Sequence, residues 1–237
     1  MKINAVITAR SGSKSVIHKN IRKLGSLPLL GWAVQNVKQS KLINNIFIST
    51  DSEKYYEIAK KVDNNIIFHK RSTELAEDVP SEEVLLDISK KFETYFDEDS
   101  ITVLIQPTTP FIDGNDIDLC IKKLINNIDK NTCISVKEVS EYPEWMITQK
   151  DGFSDIGVTV NIIGLKGVRQ TLTQRWIPNG GIYAIRTSFL LKNEKYIEDE
   201  TLVYEMPKLF SLDIDDENDF ILCESLVKSG VINRNQE

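Results

Sequence analysis

Residues 2–23 read KINAVITARSGSKSVIHKNIRK, and the first seven, Lys2 to Thr8, already point to the architecture. A short apolar, β-branched run is what a buried strand of a parallel sheet looks like. The stretch from Ala9 to Lys23 is not periodic enough for an amphipathic helix. It carries Gly12 and several serines, and it holds five cations: Arg10, Lys14, Lys19, Arg22 and Lys23. It reads as a cationic loop leaving the carboxyl end of the first strand, the end at which parallel sheets bind their ligands.

Working outward, helical and strand signals alternate. Pro28 introduces a helix over Leu29 to Val37, and NIFIS (45–49) reads as a second strand. Ser52 is placed to cap a helix reaching Val62, and Ile66 to Phe68 is a short third strand. Leu85, Ile88 and Phe92 recur at helical spacing within Ser81 to Phe92. ITVLI (101–105) is the most strand-like run in the chain and stops at Pro107. Helical spacing resumes over Asp116 to Ile128, followed by a strand over Thr132 to Val136. This rhythm predicts a doubly wound, mostly parallel α/β sheet. From Glu141 to Trp176 the rhythm breaks into two extended pieces, Met146 to Gln149 and Val158 to Ile163, among glycines; this is read as a small β-rich excursion from a single domain spanning 1–237. Strands return at Gly181 to Arg186 and Leu202 to Met206, and Asn218 to Val227 is helical.

The chain has 237 residues and 41% hydrophobic residues, enough for one large domain with a real core at about 150 residues per domain. No apolar run approaches the roughly 18 residues of a membrane helix, and the opening apolar stretch is too short for a secretory signal, so a cytoplasmic protein without a membrane partner is expected. Three scattered cysteines form neither a zinc motif nor a disulfide framework. With His18 and His69 as its sole histidines, the chain has no imidazole cage for a metal, and a Ser/His/Asp hydrolase would have to use one of these two.

Charge is where the sequence becomes specific. The net charge of -6 disfavours nonspecific nucleic-acid binding. Yet residues 1–50 contain eight basic residues and no acid, while Asp213, Asp215, Asp216, Glu217 and Asp219 crowd into seven positions near the other end. A polyanion and a divalent cation would satisfy both. In the cationic loop, Gly12 and the serines let backbone N–H groups approach phosphate oxygens, while Arg10, Lys14 and Lys19 supply charge. The loop is neither GxGxxG nor a Walker sequence, and the plainer alternative is a solvated basic turn. In SLDIDDEND (211–219), Asp213 and Asp215 are two apart and share a face if extended, which suits magnesium. Helix capping explains Asp216 and Glu217 better than metal does, but leaves Asp213 unexplained.

Taken together, ARSGSKSVIHKNI (9–21) with LPLLGWAV (27–34), ISTDSEKYYEIAKK (48–61), KRSTELAED (70–78), VLIQPTTPF (103–111), PNGGIYAI (178–185) and SLDIDDENDF (211–220) resemble, in order, the motifs of the acylneuraminate cytidylyltransferases, the CMP-sialic acid synthetases, a family that includes legionaminate and pseudaminate enzymes. The resemblance spans essentially the whole chain and implies a nucleotide-diphospho-sugar transferase-like fold with residues 141–176 as a dimerisation projection, hence a homodimer. It implies that Arg10, Ser11, Gly12, Ser13, Lys14, Lys19 and Asn20 hold the CTP phosphates and ribose, that Arg71 and Asp78 with nearby Ser81 lie against the cytosine, and that Gln106, Arg169 and Tyr183 meet the acceptor sugar. For Gln106 a strand-end hydrogen bond, and for Tyr183 plain core packing, are the alternatives. Asp213 and Asp215 match the pair that holds Mg²⁺, or Mn²⁺ in its place. Arg10, Lys19 and Asp213 would carry the catalysis.

The sequence departs from the pattern at Ser15, where glycine is usual, and at Ile112, Ile177 and Trp145, where cations are expected on the acceptor side. The reaction implied is transfer of CMP from CTP to a nine-carbon 2-keto acid sugar with release of pyrophosphate. Two alternatives stand beside it: another sugar nucleotidyltransferase, whose glycine-rich loop reads differently, and a catalytically inactive nucleotide-binding homologue.

Overall fold

The computed structural model describes residues 1–12, 16–143, 146, 148–151, 153–155 and 172–232. Its main sheet has seven strands: β1 (Ile3–Thr8), β2 (Asn45–Thr50), β3 (Ile67–Lys70), β4 (Ile101–Ile105), β5 (Thr132–Glu138), β6 (Trp176–Arg186) and β7 (Leu202–Glu205). Their spatial order is β7-β5-β6-β4-β1-β2-β3. β1 runs parallel to β2 and β4, β2 to β3, and β7 to β5, whereas β6 is antiparallel to both of its neighbours.

The expected mostly parallel α/β sheet is what forms, and the reversed sense of β6 has a simple cause. The chain leaves the sheet at Glu138 and re-enters at Trp176 directly opposite it, so the returning strand must run back along β5. Of the excursion between them, the described residues include a hairpin of Thr148–Lys150 on Phe153–Asp155. The expected strand at Val158 to Ile163 lies outside the described residues.

Helices α1 (Leu29–Lys38), α2 (Glu53–Lys60) and α4 (Gly114–Asn126) cover one face of the sheet, and α3 (Ser81–Lys91) and α5 (Thr187–Asn193) cover the other. Strand periodicity divides the side chains between them. Ala5, Ile7, Val103 and Ile105 enter the first core, and Val6 and Leu104 the second. The final helix, α6 (Glu217–Lys228), packs Phe220, Cys223 and Val227 on Leu24, Leu29 and Trp32, which fastens the C-terminal segment beside the loop after β1.

Caps set several boundaries. Ser52 accepts from Tyr55 N–H at the start of α2, as its position predicts. A capping box between Asp113 and Asp116 starts α4 two residues before the apolar periodicity does. Pro28 is itself the cap position of α1, in extended conformation, rather than a residue of its first turn. The sequence reading contains no counterpart of α5 or of the short helix Thr73–Ala76. Among the described residues, no helix is long and apolar enough to cross a membrane.

The start of α4 abuts the end of α1 so tightly that a Cβ on Gly114 would lie 2.3 Å from the Gln39 carbonyl carbon and 2.5 Å from Ser40 N. Backbone cannot move aside as a flexible side chain does. Gly114→Ala is therefore expected to destabilise the protein by about 1–3 kcal/mol, read as a lower midpoint at unchanged slope in urea unfolding.

Candidate active site

Ala9 N–H donates to Ser49 O at 2.9 Å, extending β1 by one residue beyond its last ladder position. The chain then turns over Asp51, whose carboxylate accepts Ser11 N–H at 2.8 Å and the Ser11 hydroxyl. Ser13 and Lys14 lie outside the described residues, as does Ser15. The loop closes where Asn20 Nδ2 donates to Arg10 O at 3.0 Å, and Lys19 stands at the head of a 3₁₀ turn, Lys19–Ile21, entered through left-handed His18 at φ 54°. A short spiral is enough to send the Lys19 side chain inward. Its ammonium donates to Ile214 O at 2.7 Å and lies 3.9 Å from Asp215 Oδ1.

The acidic segment is held to meet it. Ile214 is buried, and its N–H donates to Thr108 O at 2.9 Å, tying the segment to the turn after β4. Asp213 and Asp215 flank it. Asp215 is largely exposed, while Asp213 Oδ1 is buried without a hydrogen-bond partner. Burial, with the nearby Asp215 charge adding to it, lifts the Asp213 carboxyl above the usual range, against the pull of Thr108, Lys19 and Lys137. The neighbouring acids have structural duties. Asp216 caps α6 through Asn218 and Asp219 N–H, as expected, and Glu217 takes the Arg22 guanidinium in two bonds of 2.5 and 2.7 Å. Arg22 also lies 3.8 Å over the Phe220 ring.

Space beneath Asp213 comes from β6, whose register slips between Pro178 and Tyr183. Asn179, buried in that bulge, accepts from the Ser135 hydroxyl and Gly181 N–H and donates to Ser211 Oγ, locking β5, β6 and the acidic segment together. Gly180 follows at φ +76°, and a Cβ there would lie 2.9 Å from Asp213 Oδ2 and 3.3 Å from Gln106 Oε1. The NGG run thus supplies one hub and one gap.

These parts enclose a cleft of about 380 Å³ at the carboxyl edge of the sheet, and Arg10, Lys19, Asn20, Arg71, Asp78, Ser81, Gln106, Asp213 and Asp215 all line it. Arg10 pairs with Asp78 at 3.0 Å. Arg71 is buried, which pulls its pKa down to about 10 despite nearby Asp51. Ser81 opens α3, and Gln106 directly follows β4. Tyr183 is placed otherwise: it is buried with its ring edge-on to Tyr196 in the second core, its phenol pushed up to about 12 by burial. Ser11 and Gly12 are on the loop after β1 but not among the residues that line the cleft, and Arg169 lies outside the described residues. Of the positions where cations are missing, Ile112 is wholly buried in the first core and Ile177 is exposed on β6, while Trp145 lies outside the described residues.

Three residues of the site have roles that sequence reasoning did not assign. Asp51 anchors the cationic loop; it stood within the quoted ISTDSEKYYEIAKK motif with no role attached to it. Thr108, within the quoted VLIQPTTPF motif, tethers the acid segment through backbone. Lys137, one residue past the expected end of β5, donates to Ser211 O at 3.2 Å and bears electrostatically on Asp213.

The residues at this end of the cleft fit a divalent metal. Two carboxylates offer hard oxygen donors, and one oxygen, Asp213 Oδ1, is buried with its hydrogen-bonding capacity unspent. One α/β sheet thus gathers cations from its first loop and a carboxylate pair from its last segment in a single cleft. The family model described as cytidylyltransferase matches residues 4–150, and the chain belongs to that family.

N-acylneuraminate cytidylyltransferase of Escherichia coli O18:K1:H7 is 33% identical over 222 residues, covering 94% of this chain and 51% of the relative. Post-translational flagellin modification protein B of Campylobacter coli is 31% identical over 229 residues, covering 96% and 95%. The chain thus spans about half the length of the curated N-acylneuraminate cytidylyltransferases it matches. Among solved structures, CMP:2-keto-3-deoxy-manno-octonic acid synthetase complexed with CTP superposes with a TM-score of 0.69 at 13% identity, covering 97% of this chain and 100% of that one. 4-Diphosphocytidyl-2C-methyl-D-erythritol synthase gives the same score and identity over 95% and 99%. At that identity the likeness shows the fold.

Gly180→Ala combines a left-handed backbone with a clash on Asp213, and is expected to cost about 1–2 kcal/mol in urea unfolding. Asp213→Asn removes a carboxylate that ionises less readily folded than unfolded, so with a chelator present at pH 8 it should raise Tm by roughly 2–4 °C. Because the penalty exists only while Asp213 is ionised, the gain should shrink as pH falls through its raised folded pKa.

Proposed function

We propose that this chain is a cytidylyltransferase that activates a nonulosonic acid of the sialic, legionaminic or pseudaminic type with CTP, giving the CMP-sugar and pyrophosphate. The observation that carries the reading is the meeting of Lys19 with the Asp213–Asp215 segment, 2.7 Å from ammonium to the Ile214 carbonyl oxygen, in the cleft that Arg10 also lines. One wall suits a triphosphate and the other a divalent cation.

In this reading Arg10 and Lys19, with Lys14, neutralise the triphosphate and stabilise the departing pyrophosphate, while Ser11, Gly12, Ser13 and Asn20 shape the loop around it. Arg71, Asp78 and Ser81 face the nucleoside. The Arg10–Asp78 ion pair holds the guanidinium across the cleft until phosphate competes for it. Gln106, Arg169 and Tyr183 are assigned to the acceptor sugar, and Lys137 adds a cation near the same end. Tyr183, edge-on to Tyr196, is also close enough to Asp213 to feel its charge. Asp213 and Asp215 would hold Mg²⁺, which when bound neutralises phosphate charge and acidifies the acceptor hydroxyl. The protein's share is to align the anomeric oxygen with the α-phosphate and to exclude competing geometries. Residues 141–176 are assigned to a homodimer contact.

Pyrophosphate release measured with CTP, Mg²⁺ and a panel of nonulosonic acids tests the activity; no release with any acceptor overturns it. CTP, and not UTP or GTP, is expected to raise Tm in the presence of Mg²⁺. Asp213→Asn should lower turnover about 100-fold or more while remaining folded, and activity within a few-fold of the unsubstituted enzyme would remove the metal assignment.

A further inference from the structure

One buried polar cluster has no role in the reaction as derived so far. His69, on β3 and fully buried, lies with Nδ1 2.9 Å from Ser49 Oγ on β2 and Nε2 2.8 Å from Asp87 Oδ2 on α3. The residue types are those of a hydrolytic triad, but the geometry is not. Ser49 is wholly buried, and its oxygen already accepts from Arg71 Nε at 3.0 Å, so no nucleophile faces a substrate. What the cluster does reach is Arg71, on the wall of the cleft.

The hydrogen-bond inventory leaves one consistent assignment. Arginine Nε–H can only donate, so Ser49 Oγ accepts there. The single hydroxyl proton of Ser49 then goes to His69 Nδ1, which must be an acceptor, and the imidazole proton sits on Nε2 and is donated to Asp87. An imidazolium breaks this chain: Nδ1–H would face an oxygen whose own proton has lost its buried acceptor. The charged groups around the ring agree. Burial, together with Lys91 and Arg71, disfavours a second cation more than Asp87 favours it, so His69 is held below the usual histidine range and is neutral at pH 7. Lys91 also binds Asp87, at 2.8 Å, which leaves the carboxylate less able to hold an imidazolium.

We propose that Asp87, His69 and Ser49 form a buried positioning relay that fixes the Arg71 guanidinium toward the nucleotide, so that CTP binding depends on the neutral Nε2–H tautomer of His69. These are positioning residues, since none is placed against substrate. The functional half rests on the assignment of Arg71 to the nucleotide; the tautomer does not. Because protonating His69 breaks the relay, nucleotide affinity should fall with acidification in a way that a non-titrating residue at 69 abolishes.

The tautomer is read directly in protein labelled with ¹⁵N at histidine, where only His18 and His69 contribute and His69→Gln assigns the signal. A neutral ring protonated at Nε2 is expected at pH 7.5; a proton on Nδ1, or an imidazolium, overturns the relay. Calorimetry with CTP and Mg²⁺ reads its consequence. His69→Gln should weaken CTP about tenfold, leave kcat at saturating CTP within about twofold, remove the part of the fall in affinity that sets in below the usual histidine range, and add nothing in an Arg71→Ala background. An equal loss in both backgrounds, or an unchanged pH profile, overturns the proposal. Should His69→Gln not fold, Asp87→Ala should give the same loss and Asp87→Asn, whose amide oxygen still accepts from Nε2–H, should recover CTP affinity to within about threefold of the unsubstituted protein; equal losses in both overturn it. If Arg71→Ala binds CTP undiminished, the nucleotide assignment of Arg71 fails and takes the functional half with it, a failure told apart from that of the relay by the ¹⁵N result.

Discussion

Ionised groups from opposite ends of the chain are drawn into one partly buried cleft, and the rest of the structure is arranged around the cost of keeping them there. Lys19 reaches the Asp213–Asp215 segment from almost 200 residues away in sequence. In water such a contact would be worth little, but Lys19 is nearly enclosed and Asp213 partly so, where charges interact more strongly and lose more hydration. Asp213 comes out of this balance unsatisfied: one oxygen is without a partner and its ionised form is disfavoured. A protein selected only for stability would not keep it, and a polyanion with a divalent cation would compensate both walls at once.

Backbone does most of the holding. Ala9 N–H on Ser49 O, Ile214 N–H on Thr108 O and the Asn179 hub fix where the charged side chains start, and long side chains cover only the last few ångströms. Electrostatic links then close the periphery. Arg22 clasps Glu217 and lies over Phe220, so the helix that follows the acidic pair is docked against the turn that follows Lys19. The same segments that would hold ligand are thus pinned from behind by the packing of α6 on Leu24, Leu29 and Trp32, and binding does not have to pay for ordering them.

The sheet was legible because its signals are local. KINAVIT and ITVLI announce buried strands by composition, and Ser52 caps the helix that its position predicts. The antiparallel sense of β6 was not legible, since it depends on where the excursion returns the chain. At the site, the cationic loop and the aspartate couplet were readable as charge clusters, and ordered motifs joined them. Lys137 gave no such signal, since a lone lysine after a strand is ordinary, and Asp51 lay in a motif that named no role for it; only neighbours across the sheet give the two their parts. For Tyr183 the sequence left sugar contact and core packing side by side, and only the fold sets its ring edge-on to Tyr196 within reach of the Asp213 charge.

By itself, then, the sequence determined the alternation of elements, the family, and which residues carry the two opposite charges, because each of these is written in neighbouring residue types and their order. The tertiary structure alone decided that the charges share a cleft, that Asp213 is left with an unspent oxygen, and that a buried histidine is wired to Arg71. Those are matters of distance and dehydration between segments remote in the chain, and a one-dimensional pattern contains neither.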